Sequence, residues 1–446
     1  MTSSLLIRKS ATLLLLTTAL FSLCLQREGN AAETERLPNV IFLLADDLGY
    51  GDLGCFGQKL IKTPNIDKLA AEGMRFTQAY AGSTVCAPAR CTLMTGLHTG
   101  HSYIRGNKEL PGEGQTPMPA DTFTIADLMK QKGYATGLIG KWGLGYPGSE
   151  STPDLMGFDY FYGYNCQRQA HEYYPPHLWR NNEKVMLNGK SYSHDLMADE
   201  MLDFVKQHQA EPFFLYVAFT IPHSKLQVPE LGEYEDKEWK DPEKKVAAMI
   251  TRMDKDVGRL MALLKELKLD DDTLVFFASD NGAAHNFKRF EHSGPLQGRK
   301  RSMYEGGIRS PSIARWPGHV PACVVSDQVW SFWDMMPTLA DLTGQKLKTE
   351  TDGISIMPAL LSDKTVEHPP LYWEFHEGGF FQAARIGDWK AVRKGVNKPI
   401  EIYDLTKDIG EQQNLAAERP ELVEKFDDYL TSARTDSDIW KVKTKR

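Results

Sequence analysis

The chain has 446 residues, 41% of them hydrophobic and 25% charged, a balance that excludes a disordered or fibrous protein and suits a large globular domain with a smaller companion. Its formal charge is −7, about −9 without the first 31 residues, and no basic stripe runs along it, which argues against nucleic acid as a partner. Six cysteines are too few for a disulfide scaffold in a chain of this length, and their spacing does not pair them.

The N-terminus carries Arg8 and Lys9, an apolar run over residues 11–25, then the small residues Gly29, Ala31 and Ala32, in the order of a secretory leader. The run is shorter than the ~20 residues a spanning helix needs. Residues 1–31 are therefore predicted to be a cleaved signal peptide, and the mature protein to be exported to the periplasm or the exterior. Residues 39–45 form a short apolar run of the kind found in strands buried on both faces, and they end in Asp46-Asp47. Residues 63–73 are helix-like. In the stretch from Val85 to Gly96, Pro88 fits the opening turn of a helix, so Cys86 is expected at a helix N-terminus, where unpaired backbone donors would lower a thiol pKa. Arg105 and Asn107 follow shortly and are candidates for the same pocket.

Residues 134–139 are a second strand-like run, leading into Gly140-Lys141-Trp142, and residues 213–219 are a third, leading into Ile221-Pro222-His223. Between them, residues 163–179 are rich in Tyr, His and Arg and include His171, a composition suited to stacking on sugar rings and binding their hydroxyls. Residues 193–207 and 242–267 have apolar residues at helical spacing. Residues 274–279 form a fourth buried strand, ending in Asp280-Asn281-Gly282. Beyond the glycine-bounded segment with Arg299-Lys300-Arg301, the texture changes near residue 366. Short strands are predicted at 371–375, 380–386, 389–392 and 400–403, followed by a helix at 420–431.

Strands alternating with helices predict an α/β fold, whose ligand sites lie beyond the carboxyl ends of the strands. Asp46, Asp47, Asp280 and Asn281 would then meet in one crevice. Carboxylates and an amide oxygen, without a cluster of histidines or thiolates, suit Ca²⁺, and less well Mg²⁺, rather than zinc. Lys141 and His223 are expected at the same sheet edge.

The run Cys86-Ala87-Pro88-Ala89-Arg90 with Thr95-Gly96, the Asp46-Asp47 and Asp280-Asn281-Gly282 elements, the segments 63–73 and 298–311, and residues 334–339 together resemble the formylglycine-dependent sulfatases of the alkaline-phosphatase superfamily. The resemblance covers most of residues 37–446. It implies an alkaline-phosphatase-like large mixed sheet flanked by helices in residues 37–365, and a smaller antiparallel-sheet-plus-helix subdomain in residues 366–446. It further implies a sulfuric ester hydrolase, arylsulfatase-like, in which a formylglycine-generating enzyme oxidises Cys86 to Cα-formylglycine. Arg90 would hold the geometry of that residue, and Asp46, Asp47, Asp280, Asn281 and the modified Cys86 would bind Ca²⁺.

By the same match Lys141, His223 and Lys300 are sulfate-site residues, the lysines offsetting the charge of the ester and His223 or Lys300 protonating the departing alcohol. One hydroxyl of the hydrated aldehyde would attack sulfur, and the second would expel sulfate. A sulfated carbohydrate is the expected substrate, with His171, Arg105 and Asn107 as binding candidates. There is one departure from the family pattern. The family commonly reads Gly-Lys-Trp-His-Leu-Gly, whereas this chain has Gly140-Lys141-Trp142-Gly143-Leu144-Gly145. The histidine that would bind the formylglycine hydroxyl and accept its proton is replaced by Gly143; His98, His101 and His171 are the stand-ins, His171 foremost. A phosphonate or phosphate ester hydrolase of the same superfamily and a non-catalytic glycan-binding protein stay open at this point.

Overall fold

Alternate residues of the strand Asn39–Ala45 (β1) face opposite sides of a sheet, and all seven are buried, because both faces are covered. Ile41 and Leu43 join a core built with Met249, Ile250 and Met253, while Phe42 stacks on Phe276 and meets Phe332 edge-on. The computed structural model of the chain describes residues 36–362 and 364–442. The expected leader, residues 1–31, lies outside the described residues.

The remaining strands of the sheet are Met74–Phe76 (β2), Ala135–Lys141 (β3), Tyr160–Tyr164 (β4), His177–Arg180 (β5), Glu183–Met186 (β6), Phe213–Ala218 (β7), Thr273–Ser279 (β8), Ser312–Arg315 (β9) and Val324–Ser326 (β10). Their spatial order is β10-β2-β9-β8-β1-β7-β3-β4-β5-β6. The five central strands β8, β1, β7, β3 and β4 are parallel, whereas β9 and β5 pair antiparallel on either side, so the sheet is mixed. Register matters here. Ala45 lies opposite Ser279, Leu44 opposite Ala218, and Ala218 opposite Gly140, which brings four carboxyl ends to one edge.

Helices Pro64–Ala71 (α1), Ser193–Gln207 (α3) and Asp241–Glu266 (α4) share one core with this sheet through Ile66, Leu69, Met201, Val246 and Ile250. Helix Cys86–Thr95 (α2) is buried along all ten residues, so nothing about it is amphipathic. A second, four-stranded antiparallel meander follows in the order Leu371–Phe375 (β11), Phe381–Ile386 (β12), Trp389–Arg393 (β13) and Ile400–Asp404 (β14). Helix Pro420–Ser432 (α5) lays Phe426 and Leu430 on one face of it. The other face packs Trp373, Ala383 and Val392 against Tyr80, Val85 and Trp333. No helix of the described residues is long and apolar enough to cross a membrane.

The aromatic-rich segment 163–179 runs from the end of β4 through a short turn at Gln169–His171 into β5, the first strand of the hairpin β5–β6. These strands have four or five residues, too few for a period-2 pattern to stand out from the aromatic composition.

Candidate active site

At the shared edge each central strand delivers polar side chains where its ladder stops. β1 runs into Asp46 and Asp47, the latter at φ 69°, a left-handed conformation that Asp tolerates better than most residues. That turn lets the Asp47 N–H donate to Asp280 Oδ1 at 3.1 Å, tying the ends of β1 and β8. Lys141 closes β3, and its ammonium donates to Asp46 Oδ2 at 2.6 Å. Asn281 Nδ2 donates to Asp47 Oδ1 at 2.7 Å, while its Oδ1 is buried without a partner.

Helix α2 begins at Cys86. The residue before it, Val85, offers no side-chain cap, and Asn107 Oδ1 accepts the Ala87 N–H instead, at 3.1 Å. One turn along the same face, Arg90 donates to Asp280 Oδ2 at 2.7 Å and to the Lys141 carbonyl at 2.9 Å. Cys86 Sγ lies 3.4 Å from Asp46 Oδ1 and 3.5 Å from Lys300 Nζ. Lys300 also holds Asp47 at 2.6 Å and reaches His223 Nε2 at 3.1 Å. One ligand atom from each of Asp46, Asp47, Cys86 and His223 falls within a 4.8 Å group.

Charge explains why this cluster holds together. Burial alone would push Asp46 and Asp47 up, yet Lys141, His223, Arg90 and Lys300 keep Asp46 well below the carboxylate range, and His223 and Lys300 lower Asp47 as well. Asp280 goes the other way, to about 7, because burial and the neighbouring Asp46 outweigh Arg90. The Cys86 thiol is pushed up, first by burial and then by Asp46. This corrects the expectation of a lowered pKa at the helix N-terminus: the carboxylates win over the backbone donors, and an unmodified Cys86 is a protonated, weak nucleophile.

A cavity of about 370 Å³ opens above the cluster, lined by Asp47, Cys86, Lys300, His223, His171 and Gln167, with Asn107 and Glu109 on one wall and Arg299 and Arg301 at the mouth. His171 lies face to face with His223, centroids 3.8 Å apart and rings 8° from parallel, and its Nε2 is buried without a partner. Burial, then Lys141 and His223, hold the His171 pKa at about 2. His171 is thus a neutral hydrogen-bonding ring and a poor proton acceptor, which speaks against its expected role as the substitute base. His98 and His101 belong elsewhere, both facing Asp352.

Arg105 is a second correction. It is 2% exposed and does not line the cavity, its guanidinium being engaged by Glu374 at 2.9 Å and by Thr435. Sequence reasoning missed Gln167. A Cβ on Gly143, at φ 74°, would stand 1.9 Å from Gln167 Nε2, so the carboxamide fills the space beside the glycine. Only the absence of a side chain at Gly143 hinted that another group comes in there.

A buried acidic cluster, two lysines and a cysteine on a helix N-terminus, set beyond the carboxyl ends of a mixed α/β sheet, define a hydrolase of the alkaline-phosphatase type. Residues 38–345 match the family model described as Sulfatase, and residues 298–436 match the one described as N-sulphoglucosamine sulphohydrolase, C-terminal. The chain belongs to the sulfatase family and is a sulfuric ester hydrolase. It is 35% identical to N-acetylgalactosamine-6-sulfatase of Sus scrofa over 79% of this chain and 71% of that protein. It is 32% identical to human arylsulfatase A over 85% and 83%. The solved structure of Ps i-CgsB in complex with k-i-k-neocarrahexaose superposes with a TM-score of 0.80 at 30% identity, covering 92% of this chain and 96% of that one. The phosphonate monoester hydrolase of Agrobacterium radiobacter, 21% identical with a TM-score of 0.67 over 89% of this chain and 95% of that one, shares the fold alone.

Proposed function

We propose that this sulfatase removes sulfate from glycans by means of Cys86 converted to formylglycine and a Ca²⁺ ion held by Asp46, Asp47, Asp280, Asn281 and the modified Cys86. The observation that carries the reading is the seating of Cys86 on the floor of the cavity, within reach of Asp46 and Lys300. As a thiol the residue is badly placed for nucleophilic work, since burial and Asp46 keep it protonated. The donor set suits a hard divalent cation: three buried carboxylates sit together, and the orphaned Asn281 Oδ1 lacks a donor. When present, the ion and the aldehyde hydrate supply a polarised, oxygen-based nucleophile with a second hydroxyl for releasing sulfate.

The chain's own residues do the rest. Lys300, on the cavity lining, places positive charge against the ester oxygens, and Lys141, buried behind it on Asp46, adds to the positive field that offsets the negative charge resisting attack. His223 Nδ1 lies 2.5 Å from the Ser224 carbonyl, which only accepts, so Nδ1 donates there, while Nε2 meets both the Lys300 ammonium at 3.1 Å and Asp47 Oδ2 at 3.2 Å. The Lys300–His223 pair therefore holds a proton beside the cavity, available to the departing sugar oxygen. His171, stacked on His223, fixes that ring, and His171 and Asn107 line the space a sugar would occupy.

A sulfated carbohydrate is the substrate class that relatives named for N-acetylgalactosamine 6-sulfate and a complex with a neocarrahexaose support. On this reading residues 1–31 direct export, residues 37–365 form the catalytic part with residues 366–446 as its subdomain, and a formylglycine-generating enzyme acts during maturation. Mass analysis of the peptide around Cys86 is the test. Conversion lowers its mass by about 18 Da, and Cys86→Ala lowers turnover by at least about a thousandfold while the protein stays folded. Full activity from protein whose Cys86 is still a thiol would falsify the reading.

A further inference from the structure

Beside the catalytic cavity lies a second, larger depression of about 960 Å³, against about 370 Å³ for the cavity itself. Asn107 lines both. Its Oδ1 caps helix α2 next to Cys86, and its N–H donates to Glu377 at 2.9 Å, on the wall of the groove. Arg301, at the mouth of the cavity, holds the same Glu377 at 2.8 Å. The two spaces are thus joined by a rigid seam.

The groove is shaped by the loops after β11 and β13, by the segment that follows α5, and by Lys108. Its apolar wall is the half-buried Phe381 with the outer edges of Phe380 and Trp440, which are 8% and 7% exposed, a surface against which the C–H groups of a sugar ring can pack. Its charge is positive although the whole chain carries −7. Lys394 is paired with Glu401, but Lys108, Lys398 and Lys441 are exposed and have no ion-pair partner among the described residues. Of the acids in the lining, Glu377 is already held by Arg301, and Asp438 is exposed. Three free ammonium groups against one free carboxylate favour an anionic occupant, and continuity with the cavity says where that occupant begins.

Building on the sulfatase reading above, we propose that the groove binds the sugar units adjoining the sulfated one, and that the substrate is an oligosaccharide carrying at least one further sulfate or carboxylate. Affinity in the groove needs no turnover, so it is measured calorimetrically on full-length Cys86→Ala protein. The probes are a chondroitin 6-sulfate hexasaccharide, N-acetylgalactosamine 6-sulfate, and the uncharged hexasaccharide chitohexaose. The sulfated hexasaccharide is expected to bind most tightly, with an affinity that falls as salt is raised. In a Lys398→Glu/Lys441→Glu variant the ratio of hexasaccharide to monosaccharide affinity should fall by at least about tenfold. The groove assignment is overturned if the sulfated hexasaccharide fails to bind, binds no better than the monosaccharide or chitohexaose, or keeps its ratio in the variant. The sulfatase reading fails separately, through an unmodified Cys86 in active native protein.

Discussion

Gly143 is the residue at which this chain leaves the pattern of its family, and the structure gives a steric account of what stands there instead. Its φ of 74° is a conformation that L side chains rarely adopt, and the space a Cβ would enter belongs to Gln167. Gln167 is 3% exposed and its Oε1 has no partner, so a buried carbonyl oxygen sits on the cavity wall without a donor. Restoring the family histidine by Gly143→His should therefore destabilise the protein by about 1–2 kcal/mol from backbone strain, with a further cost for displacing Gln167. Adding Gln167→Ala should recover the second part and leave the first. Thermal denaturation of the two single variants and the double variant measures this coupling. A Gly143→His protein as stable as the parent would show that the glycine is incidental.

At the scale of elements, the strands buried on both faces were legible because a continuous apolar run of six or seven residues is too short for a buried helix, and the paired polar residues that end it mark where the ladder stops. β1 was found at its expected bounds and β8 within one residue of them. The short peripheral strands β2, β9 and β10 were not, since three or four residues carry no period and their partners lie far off in sequence. The site followed the same division. Residues at strand ends and in the Cys86 and Lys300 motifs were named from the sequence, whereas Gln167 reaches the cavity from a turn and Glu109 from a two-residue strand, Glu109–Leu110, whose courses depend on the whole fold. The converging strand ends also carry a consequence for stability. Asp46, Asp47 and Asp280 are all fully or almost fully buried, and mutual repulsion raises Asp280 to about 7 after burial has already raised it. A divalent ion there would relieve that repulsion, so EDTA treatment should lower the melting temperature and abolish turnover. Ca²⁺ at about a hundred times its Kd should restore about 2.7 kcal/mol of stability, more than Mg²⁺ at the same concentration. A melting curve indifferent to both treatments would argue against the ion.

For the molecule as a whole, Arg105 shows how the small sheet is fastened to the catalytic part. It leaves the loop after α2, donates to Glu374 on β11 at 2.9 Å and to the Thr435 carbonyl beyond α5 at 2.8 Å, and so joins three distant stretches of chain. Glu374 has no exposed side-chain surface and is also held by Arg434 at 2.8 Å and His376 at 2.9 Å. Burial alone would raise its pKa, but His376, Arg105 and Arg434 bring it down to about 2 from the usual 4.5. A carboxylate lowered on folding contributes stability that is fully present above its unfolded pKa and is lost as pH falls toward the folded one. The window here runs from 4.5 down to about 2, and the contribution at neutral pH is about 3 kcal/mol. Glu374→Gln removes the only carboxylate facing the buried Arg105 guanidinium among the described residues and one partner of the partly exposed Arg434, and should cost about 3–5 kcal/mol at pH 7. Between pH 4.5 and about 2 the unfolded parent takes up a proton on Glu374 that the folded parent does not hold, so the difference in melting temperature between parent and variant should shrink steadily toward pH 2. If the difference stays constant across that range, the carboxylate is not what couples the sheet to the catalytic part, and packing of Trp373 against Tyr80, ring centroids 5.2 Å apart, would have to bear that coupling alone.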